Sequence, residues 1–402
     1  MFELIQEAPR DPILGLTEAF RSDNNPHKIN LSVGVYQDDR GQTPTLAGVR
    51  EAERRLAERT GGKAYLPIDG DPEYGHLVQQ LLFGTEHEAL TSRRSATSHT
   101  PGGTGALRVV ADFLHANLPS ATVWLSEPTW PNHPSIFSAA DVRTKSYPYY
   151  DEAARGVDFP AFAAALREIP AGDVVLLHAC CHNPTGADLT ADQWRETAAI
   201  VRERRLVPLL DFAYQGFADG LDEDAAGLRA LASPGQELFV CSSFSKNFGL
   251  YCERVGALTV VAADADRAKA VQSQIKRSIR ANYSNPPAHG GAIVREILAD
   301  QQLRLQWVDE VAAMRDRING MRKLLVDKLR EHGVPGEWDF MTRQRGMFSY
   351  SGLTANQVDE LRAAHSIYIV RSGRINVAGI TPDNVDRLCE AIGKVIGSQK
   401  SV

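Results

Sequence analysis

Positions 242–254 read Ser-Ser-Phe-Ser-Lys-Asn-Phe-Gly-Leu-Tyr-Cys-Glu-Arg and follow directly on the apolar run 237–241. That run predicts a buried strand, so Lys246 stands just past a strand end among hydroxyl side chains, with Arg254 a short way on. A lysine held there is desolvated enough to act as a nucleophilic amine, and serines with an arginine are good phosphate ligands. An amine and a phosphate site together suit pyridoxal 5′-phosphate (PLP), which forms a Schiff base with lysine. A surface lysine in a polar loop is the plainer reading of the same window.

Other strand ends carry chemistry too. Runs at 121–125, 174–177, 207–210 and 238–241 read as buried strands. In sheets built this way ligands bind beyond the carboxyl ends of the strands. There the sequence offers Asp211 with Tyr214, His178 followed by His182-Asn183-Pro184-Thr185-Gly186, and Glu127 followed by Trp130 and His133. Taken singly, Asp211 could cap a helix, Trp130 could pack in the core and Asn183 could serve a turn. Together with Ser243, Ser245 and Lys246 they would line one crevice. A further segment, Thr100-Pro101-Gly102-Gly103-Thr104-Gly105, opens a helical pattern with glycines, exposing backbone N–H groups suited to an anion. It is neither a Walker loop nor the GxGxxG of a nicotinamide oxidoreductase.

The elements that must position these residues alternate. Helical patterns at 159–168 and 191–205 lie between the apolar runs, which implies a mainly parallel sheet covered by helices on both faces. Beyond about residue 300 the texture changes. A long helical stretch covers 301–332, mixed segments follow, and a last helix is expected from Thr381, with Thr381-Pro382-Asp383 as its cap, to Ile396. The expected organisation is an N-terminal arm with part of a small domain at 1–44, a large domain at 45–310 and a small α+β domain at 311–402.

A chain of 402 residues with 43% hydrophobic composition can bury one large core and a smaller one. Its net charge of −6, without basic runs, points away from nucleic acid and membrane surfaces. The start lacks a signal-peptide pattern, and five cysteines make poor material for a disulfide framework. A cytoplasmic protein is the expectation.

The whole pattern resembles the fold-type-I, class I PLP-dependent aminotransferases of the aspartate and aromatic amino acid group. The likeness runs nearly end to end through segments 32–36, 65–70, 102–107, 130–133, 182–186, 211–217, 243–256, 280–287 and 373–377. The resemblance implies a large domain with a mainly parallel seven-stranded sheet between helices, plus a smaller α+β domain. It implies that Lys246 carries the cofactor and that Asp211 pairs with the ring nitrogen, supported by His133, with His178 nearby. Tyr214 and Asn183 would bond the 3′-oxygen and Trp130 would stack on the ring. Gly103, Thr104, Ser243, Ser245 and Arg254 would hold the phosphate, with Tyr65 reaching in from a second subunit. Arg374 would take the substrate α-carboxylate, Arg280 a side-chain carboxylate across a homodimer interface, and Gly34 would lie over the substrate.

The implied reaction is ping-pong transfer of an amino group from L-aspartate to 2-oxoglutarate, aromatic amino acids being the alternative donors. Val35, Thr43, Thr104 and Asn285 match the aspartate pattern. Ala64 and Gln37 depart from it, because Asn and Lys are usual there, and both changes could relax selectivity toward Phe and Tyr. A different PLP reaction and a non-catalytic PLP-fold regulator are the remaining readings.

Overall fold

The computed structural model describes residues 2–7, 14–59 and 62–398. The chain divides into two units, one formed by 44–316 and the other by 1–43 with 317–402. The larger unit is organised by seven strands: β1 (Ser95–Pro101), β2 (Val123–Glu127), β3 (Thr144–Pro148), β4 (Val174–His178), β5 (Val207–Phe212), β6 (Leu238–Ser243) and β7 (Val255–Val261). Their order across the sheet is β1-β7-β6-β5-β4-β2-β3. Only β7 runs against its neighbours; the remaining six share one direction.

Every residue of β4, β6 and β7 is buried, as expected of strands covered on both faces. Helix α1 (Gly102–Asn117) follows β1 without a loop. Its apolar stripe of Ala106, Leu107, Val110, Phe113 and Leu114 packs in one cluster with Leu176, Leu209, Phe239 and Leu258 from the strands. Helices α2 (Phe159–Glu168), α3 (Ala191–Arg204) and α4 (Ala265–Asn282) follow, and the long α5 (Gln301–Glu331) contains the division between the units. Thr190 and Gln193 close a reciprocal capping box at the start of α3, which ends the preceding loop at a defined residue.

In the smaller unit, strand Phe348–Tyr350 pairs antiparallel with Arg374–Asn376, and Ile29–Asn30 pairs parallel with Ile367–Tyr368. The amide of Asn376 donates to the Leu31 carbonyl, so residues near position 30 belong to the same small core as the C-terminal segment.

Three local expectations shift. β5 extends through Phe212, so Asp211 lies inside the strand, hydrogen-bonded in register between His178 and Cys241. The last helix starts at Val385 and not at Thr381. Thr381 donates its amide to Asn384 Oδ1, and a turn occupies the residues expected to cap the helix. β1 escapes a reading based on apolar runs, because its sequence is Ser-Ala-Thr-Ser-His-Thr-Pro.

Candidate active site

The parallel register puts the carboxyl ends of β4, β5 and β6 side by side, and the chemistry collects there. Asp211, 8% exposed, accepts a 3.0 Å hydrogen bond from His133 Nε2. Because an ionised carboxylate can only accept, that nitrogen carries the proton, and His133 Nδ1 accepts from the Thr129 hydroxyl at 2.8 Å. Burial alone would push the Asp211 carboxyl up. The His133 hydrogen bond, aided by the Lys246 charge, outweighs it and holds the group below its ordinary value.

Imidazoles back this pair. His178 lies 5.3 Å from His133 and 4.3 Å from His182, ring to ring. Burial, with the His133 charge second, depresses His178 to about 3, so its ring is neutral. His182 stacks on Tyr149 and is bonded at both nitrogens, to Ser126 Oγ and Thr185 Oγ1.

Lys246, half-buried past the end of β6, sets its Nζ 4.7 Å from the centre of the Tyr214 ring, on the loop after Asp211. Tyr214 and Asn183 are both 5% exposed, and Trp130 meets the His133 ring edge-on at 5.2 Å.

A second group forms where α1 begins. Gly102 has φ +73°, and a Cβ there would come within 2.6 Å of Arg254 Nη2. A Cβ on Gly103 would stand 3.2 Å from Ser243 Cβ. Arg254 Nη1 donates to Ser245 Oγ at 3.1 Å, and Ser243 Oγ donates to the same oxygen at 3.2 Å. The first turn of a sixteen-residue helix, two serines and a guanidinium thus surround one spot. Helix N–H groups and an arginine suit a dianion such as a phosphate monoester.

Tyr65 is 92% exposed. Arg280 is exposed on the last turn of α4 and donates to Ser284 Oγ. In the smaller unit Arg374, 3% exposed, donates to the Ser32 carbonyl at 2.8 Å and lies 4.1 Å over the Phe348 ring. Gly34 faces that ring from the other segment: a Cβ on it would sit 2.8 Å from Phe348 Cζ. Asn376 holds the same segment by donating to the carbonyls of Val33 and Val35.

Some positions in this machinery leave no mark in the sequence. Asp188 accepts from the amides of Cys181 and His182 and so fixes the turn that carries Asn183. Asp224 likewise accepts from backbone amides, those of Gly216, Ala218, Asp219 and Gly220 on the loop after Tyr214. An aspartate several residues along a loop has no periodic signature, so only its amide partners reveal it.

A lysine amine beside a phenol, a carboxylate–imidazole pair and an anion cradle, all at the carboxyl ends of a mainly parallel sheet, define an enzyme class that works through a Schiff base. The donor set fits PLP, supplying an amine, an anionic partner for a ring nitrogen and a phosphate cradle. A family model, Aminotransferase class I and II, matches residues 26–392, and the chain belongs to that family and is an aminotransferase. It is 54% identical over 396 residues to the aspartate aminotransferase of Escherichia coli K12, covering 98% of this chain and all of that one. It is 47% identical over 397 residues to the aromatic-amino-acid aminotransferase of the same strain, at the same coverage. The crystal structure of the Burkholderia pseudomallei aromatic-amino-acid aminotransferase, covalently bound to pyridoxal phosphate, superposes with a TM-score of 0.96 at 49% identity, covering 98% of this chain and 99% of that one. The fold is that of the fold-type-I PLP-dependent transferases.

Proposed function

We propose that this chain is a PLP-dependent aminotransferase that moves the amino group of L-aspartate to 2-oxoglutarate by a ping-pong route. The observation that carries the reading is the Lys246 amine beside Tyr214 on the loop that leaves the His133-bonded Asp211. Bound there, PLP supplies a carbonyl that condenses with amines and a ring that accepts the electrons released at the substrate Cα. Asp211, ionised at neutral pH, is the anionic partner for the protonated ring nitrogen, and His133 keeps it oriented. Tyr214 and Asn183 would bond the 3′-oxygen, Trp130 would cover a ring face, and Gly103, Thr104, Ser243, Ser245 and Arg254 would hold the phosphate. Lys246 Nζ would act as the general base toward the proton on the substrate Cα, the role of a freed amine.

Arg374 is the fork for the substrate α-carboxylate, and the Phe348 face and Ser32 carbonyl leave it few other orientations. Gly34 lies over the substrate, where a larger residue would strike Phe348. The exposure of Tyr65 and Arg280 supports their service to the neighbouring site of a homodimer, Tyr65 at the phosphate and Arg280 at a side-chain carboxylate. The 54% identity to an aspartate enzyme, against 47% to an aromatic one, supports aspartate as the main donor. Ala64 and Gln37 support aromatic donors as the second reading. No helix among the described residues is long and apolar enough to cross a membrane, and all five cysteines are free thiols, which fits the cytoplasm.

Single-turnover absorbance of the loaded protein tests this, with Asp and Phe added separately. Fast conversion by Asp and slow conversion by Phe supports the aspartate reading, and comparable rates support the broader one. A protein that gains no cofactor absorbance when PLP is added refutes both.

A further inference from the structure

The loop between β5 and the helix Ala226–Leu231 turns around one buried carboxylate. Asp224, 6% exposed, accepts four backbone hydrogen bonds. Oδ2 takes the amides of Gly216 at 2.8 Å and Ala218 at 3.0 Å; Oδ1 takes those of Asp219 at 2.9 Å and Gly220 at 3.3 Å. Four N–H donors meet four lone-pair sites, the complement of a charged carboxylate and not of a protonated one. Burial is the larger effect and leaves the acid above its ordinary value, although the four amides pull it back toward ionisation. The buried thiols of Cys180 and Cys181 face it, with the three ligand atoms within 4.8 Å of one another.

This ring of amides begins two residues after Tyr214. Gly216 holds φ +95°, and a Cβ there would lie 2.6 Å from Val311 Cγ1, so the turn has little freedom once its amide is fixed. The same loop is tied at Gln215, whose carbonyl accepts from Asn247 Nδ2 and whose side chain donates to the carbonyls of Leu81 and Leu221. Asn247 adjoins Lys246 in the chain. The phenol and the amine therefore face each other across a frame closed at one end by Asn247 and at the other by Asp224.

We propose that Asp224 is a positioning residue for the reaction: by gathering the 216–220 amides it fixes the loop that sets Tyr214 against the Lys246 amine. The proposal rests on the reading of Tyr214 as the partner of the cofactor 3′-oxygen. It is distinct from a stability role, since its signature is the pH at which the lysine-bound chromophore titrates. An asparagine of the same shape offers one acceptor oxygen and turns two donors toward the remaining amides, so the turn opens and Tyr214 moves.

Absorbance titration of the PLP-loaded wild type, Tyr214→Phe, Asp224→Asn and the double variant tests it. Tyr214→Phe examines the underlying reading, and an unchanged midpoint there refutes that reading and this proposal together. If Tyr214→Phe shifts the midpoint, Asp224→Asn is expected to raise it by about one pH unit. It is then expected to add nothing in the Tyr214→Phe background. A wild-type midpoint in Asp224→Asn, or an equal rise in both backgrounds, overturns the proposal while leaving the role of Tyr214 intact. Should Asp224→Asn fail to fold, hydrogen exchange on the wild-type protein without cofactor decides. The amides of 216 and 218–220 are expected to exchange at least about a hundredfold more slowly than in an unstructured peptide. Exchange near the unstructured rate overturns the proposal.

Discussion

At the scale of single residues, function turns on which polar groups are held ready and which must find a partner. Lys246→Ala removes the amine proposed both to attach the cofactor and to move the proton. The expected loss in kcat is at least about 10²–10⁴-fold, the usual worth of a positioned acid–base group. Borohydride reduction followed by mass spectrometry should then find no cofactor-modified lysine. The two arginines separate by substrate. Arg374→Ala is expected to weaken every amino acid, because all share the α-carboxylate. Arg280→Ala should weaken only those with a second carboxylate. Loss of one partner from a desolvated pair costs on the order of 2–5 kcal/mol, or about 30- to several-thousand-fold in kcat/KM. Parallel losses for Asp and Phe in Arg280→Ala would contradict the assignment.

At the scale of elements, the site depends on close approaches that only glycine permits. Gly102 opens α1 with a positive φ, and its missing side chain leaves the space that Arg254 occupies. Gly102→Ala would pay for a left-handed backbone and displace the guanidinium from Ser245. Backbone strain of this kind costs about 1–3 kcal/mol; relieving it by displacing the guanidinium should lower PLP affinity by roughly five- to a hundred-and-fiftyfold. Fluorescence titration of the protein without cofactor measures it, and an unchanged Kd would remove Arg254 from the phosphate site. The β5–Ala226 loop obeys the same logic with an aspartate at its centre. A strand end delivers a residue to the right height, but a loop must be tied by its amides before a side chain on it points one way.

At the scale of the whole molecule, the proposal of a shared site has a sharp consequence. A chain with Lys246→Ala and a chain with Arg280→Ala are each expected to be poor with aspartate. Mixed and refolded together, they are expected to form hybrid dimers in which one site has both a good lysine and a good arginine. Activity of such hybrids should recover to about half that of wild type per dimer, following from two equivalent sites. No recovery would place Arg280 within its own chain's site.

Acid stability also reads the whole fold. His99 is 1% exposed, wedged where a Cβ on Gly70 or Gly291 would touch it, and burial depresses it to about 4. Its usual value is about 6.5, so above that pH both states are neutral and the residue costs nothing. Below it the unfolded chain binds a proton that the folded one refuses. Stability therefore falls with pH between about 6.5 and 4, by about 3 kcal/mol from this group. Urea midpoints across that range should fall less steeply in His99→Gln, and an identical slope would contradict the buried neutral ring.

Much of this protein was legible in one dimension because strand patterning and strand-end chemistry are local. Runs such as Val174–His178 and Leu238–Ser243 are apolar since both sheet faces are covered. A lysine, an aspartate and an asparagine just beyond such runs need no knowledge of distant residues to be suspected. β1 stayed hidden because its residues are mostly polar, and the cap expected at Thr381 became a turn because Asn384 took its amide. The imidazole row of His133, His178 and His182, the Arg374–Phe348–Gly34 stack and the amide ring around Asp224 were decided only by tertiary structure. Each depends on side chains meeting across sheet register or closed loops, and no local pattern encodes where those closures bring them.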